Sequence, residues 1–146
     1  MNLTKKAVFL DSSVLFSALY SLTGGSHALI TSIKDRLTHG ITSQTIIEEL
    51  YENITKLRNT TQKEIDDFII DHNILVCDHI SAEELAPWMG KIEEKDIHVV
   101  VGALSTGCNY LVTLDKKHLH NTQVQSLCKD IKIISPKELL VLIKSS

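Results

Sequence analysis

The 146-residue sequence predicts a three-layer α/β/α sandwich around a mainly parallel sheet, built as one domain over residues 1–146. Short apolar runs typical of buried strands alternate along the chain with segments whose apolar residues recur at helical spacing. No internal repeat, linker or second domain interrupts this alternation. The length also suits one domain, since domains usually contain about 100–200 residues, and the 43% of hydrophobic residues can form one core.

The chain begins with a strand followed by two helices. Residues 7–10 form an apolar run that ends at Asp11, and a helix is predicted directly after Ser12. The Gly-Gly-Ser sequence at 24–26 predicts a break. A second helix follows over residues 28–37, because its apolar side chains recur at helical spacing.

A second strand is predicted at residues 39–42, and Ser43 can cap the helix that follows it. The apolar positions of this helix share one face. They are Ile46, Leu50, Ile54 and Leu57.

The remaining elements continue the alternation. We expect a loop at 59–61, helices at 62–72 and 95–105, an irregular segment at 87–90, and strands at 73–77, 110–114 and 131–134. A last helix begins after Ser135, because Ser135, Pro136 and Glu138 have the spacing of an N-cap, a first helical residue and a capping-box acid.

Three acids from distant segments are expected to meet at one edge of this sheet. Asp11 and Asp115 each follow an apolar strand, so their side chains emerge at its carboxyl end, where open α/β sheets bind ligands. Asp96 begins the helix before the Asp115 strand. Because that helix runs antiparallel to the strand, its N-terminus lies at the same edge.

A fourth acid comes from the helix after Ser43. Each residue of an α-helix is rotated by about 100° around the axis from the one before it. If Ile46 is placed at zero, the apolar face of this helix is centred at about 50°. Glu49 lies at about −60° and flanks that face, whereas Glu48 lies at about 200°, nearly opposite. We therefore expect Glu49 to point along the sheet edge and Glu48 to face solvent.

Carboxylates that share a small site repel one another unless a cation neutralises them. Oxygen ligands suit Mg²⁺ or Mn²⁺, and such an ion can activate water for displacement at phosphorus. Ser13 and Thr113 could supply hydroxyls to this site, although Ser13 equally fits a helix cap. Lys116 and Lys117, with His118, form either a basic rim that contacts phosphates or a solvated helix start.

Composition limits the other classes of function. Three widely spaced cysteines without a CxxC pair predict reduced thiols in a cytoplasmic protein rather than a zinc site. The longest apolar run, Leu139–Ile143, has five residues, far below the roughly 18 of a membrane span, so no membrane association is expected. The net charge of −3 and pI near 6.1 disfavour a non-specific nucleic-acid binder.

Four segments of the chain together resemble the PIN-domain family, in its branch of toxins from bacterial type II toxin–antitoxin systems (VapC-like ribonucleases). The segments are AVFLDSSVLFSAL, GITSQTIIEEL, EEKDIHVVVGALSTGCNYLVTLDKKHL and IISPKELL. The third is the most specific, with an Asp-led helix, an alanine seven residues later, and a strand that ends in Thr-x-Asp. Each segment is weak alone, and their order and spacing carry the resemblance.

The resemblance implies metal-dependent cleavage of RNA by an acidic, metal-binding quartet, in which Asp11, Asp96 and Asp115 are the expected metal ligands. Its members would be Asp11, Glu49, Asp96 and Asp115, with Thr113 in support. It also implies a homodimer and an antitoxin protein as partner.

Two positions depart from the family pattern. Ser13 stands where many members have Asn, and Glu93 stands where a further Asp often precedes the third motif. Both can still serve the site, Ser13 by binding water and Glu93 through a longer acidic side chain.

Two other functions remain open from the residues. A receiver-like phosphotransfer domain also gathers acids around Mg²⁺, but it would need an early pair of acids where Asp11 stands alone. A non-catalytic interaction module could keep the same fold.

The four acids expected at the pocket account for the negative net charge. They contribute −4 of the net charge of −3, so the rest of the chain carries +1.

Overall fold

The computed structural model describes residues 6–35, 38–57 and 60–145, and these form a sheet with helices on both faces. The five strands are β1 (Ala7–Leu10), β2 (His39–Ser43), β3 (Leu75–Cys77), β4 (Tyr110–Val112) and β5 (Lys132–Ile134). Their order is β3-β2-β1-β4-β5, and every pairing is parallel. The predicted three-layer α/β/α class is therefore confirmed.

Each parallel crossover carries helical structure. The α-helices are α1 (Ser12–Tyr20), α2 (Gly25–Asp35), α3 (Gln44–Glu52), α4 (Gln62–Asp71), α5 (Ala82–Leu85), α6 (Ile97–Ser105), α7 (Thr122–Leu127) and α8 (Pro136–Lys144). Short 3₁₀ turns lie at Ile54–Lys56, Ala86–Trp88 and Glu94–Asp96. No helix in the described ranges has both the length and the apolar character to cross a membrane.

The sheet centre forms the core of the molecule. Val8, Phe9 and Leu10 of β1 are buried, as are all three residues of β4. Helix α6 packs tightly on this centre, because a Cβ built on Gly102 would lie 2.5 Å from Cζ of Phe9. The helix can approach the strand this closely only because residue 102 has no side chain.

Several predicted boundaries differ from the structure. Helix α2 begins at Gly25, so the break lies before it rather than across 24–26. Helix α3 ends at Glu52, because the chain turns into the 3₁₀ segment Ile54–Lys56. Leu57 is still buried, but it follows that turn and is not on α3. Leu37 and Asn59 lie outside the described residues.

Two short helices, α5 and α7, were not predicted. Each has six residues or fewer, too short for apolar periodicity to develop. Their N-caps were nevertheless visible in the sequence. Ser81 makes a complete capping box with Glu84, and Asn121 accepts a hydrogen bond from the Val124 amide.

The strand order defines where a ligand can bind. Strands β2 and β3 lie on one side of β1 in the sheet, in chain order, whereas β4 and β5 lie on its other side. The order therefore reverses between β1 and β4, and open α/β sheets bind ligands beyond the carboxyl ends of the strands at such a reversal.

Candidate metal centre

Asp11 lies at the reversal point, directly after β1, and its carboxylate accepts hydrogen bonds from three residues. Oδ1 accepts a hydrogen bond from the Ser12 amide at 2.7 Å. Oδ2 accepts from the hydroxyls of Ser13 at 2.9 Å and Thr113 at 2.7 Å. Burial nevertheless raises the pKa of Asp11, because desolvation outweighs these hydrogen bonds. The carboxylate is thus fixed in position and costly to ionise without a nearby cation.

The same two hydroxyls also tie the β4 loop to this carboxylate. The Asp115 amide donates to Thr113 Oγ1 at 3.0 Å, and the Leu114 amide donates to Ser13 Oγ at 3.1 Å. Ser13 therefore bridges two segments, while Asp11 itself caps α1. Ser13 is therefore not the N-cap of α1, and its role in the site stays a prediction.

Asp96 approaches from α6, at the end of the 3₁₀ turn that precedes the helix. Its pKa rises from 3.8 to about 6, first because the side chain is desolvated and then because Asp115 and Asp11 repel its charge. Its Oδ2 is buried and accepts no hydrogen bond from the described part of the chain. An orphaned buried oxygen among like charges is the environment that a bound cation would stabilise.

Asp115 is in the centre, although its position relative to the strand was predicted wrongly. Strand β4 ends at Val112, so Asp115 follows it by three residues instead of directly. The intervening turn is held by Asp115 Oδ1, which accepts a hydrogen bond from the His118 amide at 2.9 Å. The carboxylate reaches Asp96 because the chain bends after the strand.

His118 also lies in this centre, although the sequence predicted it in a basic rim or a solvated helix start. Its Nδ1 lies 3.3 Å from Asp115 Oδ2 and 3.6 Å from Asp96 Oδ2. One ligand atom each from Asp96, Asp115 and His118 lie within 4.8 Å of one another. Lys116 and Lys117, which were predicted to share a rim with His118, are exposed. The Asp-x-x-His spacing was the available signal, since a turn brings residues i and i+3 together.

Glu49 flanks the centre from α3, on the side that the helical-face argument indicated. It is partly buried, and its Oε2 accepts a hydrogen bond from the Ser12 hydroxyl at 3.4 Å. His98 Nε2 lies 2.7 Å from Glu49 Oε1, without the alignment of a hydrogen bond. Glu48 is exposed and pairs with His79 at 2.7 Å instead. His98 is a neighbour of the site that sequence reasoning missed, because its contact spans two helices.

Glu93 does not join the carboxylates. Its side chain is exposed, and its contribution is a main-chain carbonyl that accepts a hydrogen bond from the Asp96 amide at 2.9 Å. It therefore shapes the turn that presents Asp96.

The donor set fits a small divalent cation. Carboxylate oxygens suit Mg²⁺ and Mn²⁺, and an imidazole beside them adds preference for a transition metal such as Mn²⁺. Asp96 and Asp115 offer the closest oxygens, with His118 Nδ1 beside them. Asp11 lies near enough to raise the pKa of Asp96, but its own oxygens already accept hydrogen bonds.

Comparison with known proteins agrees with this architecture. A sequence model described as the PIN domain matches residues 7–117. No curated protein sequence matches the chain.

Solved structures with low sequence identity share the fold. VapBC2 from Rickettsia felis, solved bound to a DNA fragment from its promoter, has 15% identity and a TM-score of 0.64, covering 88% of this chain and 98% of that one. PAE2754 from Pyrobaculum aerophilum has 14% identity and a TM-score of 0.60, with full coverage of both chains. FitAcB from Neisseria gonorrhoeae has 16% identity and a TM-score of 0.59, covering 89% of this chain and 98% of that one.

Proposed function

The chain belongs to the PIN-domain family, and on that premise we propose that it is a metal-dependent endoribonuclease, the toxin of a toxin–antitoxin pair. The observation that carries the proposal is the convergence of Asp11, Asp96 and Asp115 beyond the carboxyl ends of β1 and β4. Glu49 adds a fourth carboxylate at the rim. An acidic site of this kind suits phosphodiester hydrolysis more than the binding of an anion alone.

Each residue has a separate part in this proposal. Asp96 and Asp115 would hold the cation, Mg²⁺ or Mn²⁺, with His118 beside them. When bound, the cation would polarise a phosphodiester and lower the pKa of the attacking water. The Thr113 hydroxyl donates to the Asp11 carboxylate and accepts from the Asp115 amide, so it would fix the position of the two acids relative to each other.

The reaction would be hydrolysis with water as nucleophile. The water oxygen bonds to phosphorus and gives up a proton, while the bond from phosphorus to O3′ breaks and O3′ takes up a proton, which leaves 5′-phosphate and 3′-hydroxyl ends. Glu49 lies at the rim with one oxygen on the Ser12 hydroxyl. In this proposal Glu49 would orient or deprotonate the attacking water, which its position beside Ser12 supports.

An antitoxin partner, a homodimer and a cytoplasmic location complete the proposal. The similarity to VapBC2 and FitAB supports the first of these. The thiols of Cys77, Cys108 and Cys128 are free, and burial raises the pKa of each, which suits a reducing compartment.

The receiver-like alternative has less support. Receiver domains have the strand order 2-1-3-4-5, whereas this sheet has the order β3-β2-β1-β4-β5. The remaining alternative is a non-catalytic module with the same fold, and it is separated from the nuclease by experiment.

The test is cleavage of single-stranded and structured RNA in Mg²⁺, in Mn²⁺ and in EDTA. We expect cleavage in either metal, none in EDTA, and a loss of about 100-fold or more in Asp96→Asn, since removal of one group that supports charge stabilisation in the transition state commonly costs about 10²–10³-fold. Glu94→Gln is the matched control, because Glu94 is an exposed acid in the same 3₁₀ turn. Intact wild-type protein that binds no metal and cuts no RNA would contradict the proposal.

A second experiment addresses the biology. Expression of the protein is expected to arrest growth, and co-expression of the neighbouring reading frame is expected to relieve the arrest. Arrest that persists in Asp96→Asn would show that the toxicity does not depend on the carboxylate site.

A further inference from the structure

A pocket of about 500 Å³ opens directly beside the carboxylate site. Ser12, Ser13 and Glu49 line it and also contact the site, so the two are continuous. From there the pocket follows α1 to Phe16 and Tyr20, which lie one and two turns from Ser12, roughly 6 and 12 Å along the helix. Its volume is in the range of small-molecule sites.

Two aromatic rings form one wall of this pocket. The rings of Phe16 and Tyr20 are nearly parallel, at 9°, with their centroids 6.4 Å apart. Tyr20 is the last residue of α1 and is 66% exposed. A planar heteroaromatic group placed against this ring would continue the stack, and every nucleobase has a suitable face.

The end of α3 and the 3₁₀ turn after it supply polar groups to the pocket. The side-chain amide nitrogen of Asn53 donates to the Glu49 carbonyl at 2.9 Å, which orients the side chain. The Asn53 Oδ1 receives no hydrogen bond from the described residues and can accept one from a base. Lys56 also lines the pocket, is exposed and forms no ion pair within the described ranges, so its ammonium group is available to a phosphate.

We propose that this pocket binds one nucleobase of single-stranded RNA, next to the phosphodiester that the carboxylate site would cleave. The proposal rests on the nuclease function and adds a site for one base beside the bond that would be cleaved. A base in a duplex is paired and stacked and cannot enter such a pocket, whereas an unpaired base can stack on aromatic side chains. Tyr20 and Asn53 would thus influence which base lies next to the cleaved bond.

The test compares two single-stranded oligoribonucleotides that differ only in a run of abasic positions, so that charge and length are equal. The value of kcat/KM in Mg²⁺ is expected to be about tenfold higher for the strand that carries bases, in line with the contribution of base–aromatic stacking. Tyr20→Ala should reduce this preference to near one, and Tyr20→Phe should retain it. Leu22→Ala is the matched control, because Leu22 is 74% exposed and does not line the pocket.

The possible outcomes distinguish a failure of the base site from a failure of the nuclease function. Cleavage of both strands at equal rates by the wild type would overturn the base site and leave the nuclease standing. An equal loss on both strands in Tyr20→Ala would also overturn it, and would indicate that the pocket receives another group, such as an apolar side chain of a partner protein. If the wild type cleaves neither strand, the nuclease is judged by the metal and RNA tests given above. The base site is then judged by binding of the same two strands, and equal affinities would overturn it.

Discussion

Replacing Asp96 by Asn should stabilise the metal-free protein at neutral pH. The pKa of Asp96 rises from 3.8 to about 6, mainly through burial and then through the charges of Asp115 and Asp11. The folded state therefore binds this proton more tightly than the unfolded state does. As the pH rises from about 4 through 6, the folded protein must release the proton at a cost, so its free energy of unfolding falls.

The size of this cost follows from the pKa. One pKa unit corresponds to about 1.4 kcal/mol, so ionised Asp96 lowers the free energy of unfolding by about 3 kcal/mol above pH 6. Asn cannot ionise, and Asp96→Asn should recover most of that amount at pH 7.5. For a chain of this size the change corresponds to roughly 6–12 °C in Tm. Near pH 4 the folded wild type already holds its proton, and the advantage of the variant should shrink.

The assay is urea unfolding in EDTA at pH 4 and at pH 7.5. The difference between variant and wild type is compared across the two pH values, which removes any constant effect of the amide itself. Glu94→Gln should show no such pH-dependent gain, because Glu94 is exposed in the same turn. Saturating Mg²⁺ should remove the difference in unfolding free energy between variant and wild type at pH 7.5, since a bound cation offsets the repulsion among the carboxylates. A difference that is equal at both pH values, or larger at pH 4, would refute the electrostatic reasoning.

Two further substitution pairs test other parts of the structure. Glu49→Gln should reduce RNA cleavage severely, by about 100-fold or more, whereas Glu48→Gln should leave it largely intact, and the reverse order of kcat/KM would refute the helical-face argument. Gly102→Ala should lower the free energy of unfolding by about 1–3 kcal/mol, because its Cβ would collide with the buried ring of Phe9 at 2.5 Å. Gly25→Ala has no atom within 4 Å of its Cβ and should be neutral or stabilising by up to about 1 kcal/mol. Equal urea midpoints for the two glycine variants would show that the α6–β1 contact is not tight.

Much of the fold was predictable because its signals are local. The buried strand at Ala7–Leu10 and the cap at Ser43 follow from apolar runs and from residue types that act over a few positions. Helix α5 was missed because it is shorter than the pattern that identifies a helix. The end of α3 was misjudged because Ile54 and Leu57 fit the helical spacing even though the chain turns at Asn53.

The sequence by itself determined the two layers of helices, the parallel sheet and the acids that could meet at its carboxyl edge. Strand endings and helical faces are read from neighbouring residues, and they were enough to separate Glu49 from Glu48. Only the tertiary structure decided which groups touch. His118 lies beside Asp96, and the hydroxyl of Thr113 holds Asp11, 102 positions away in the chain. Such contacts depend on strand order and on the path of each turn, which no local pattern encodes.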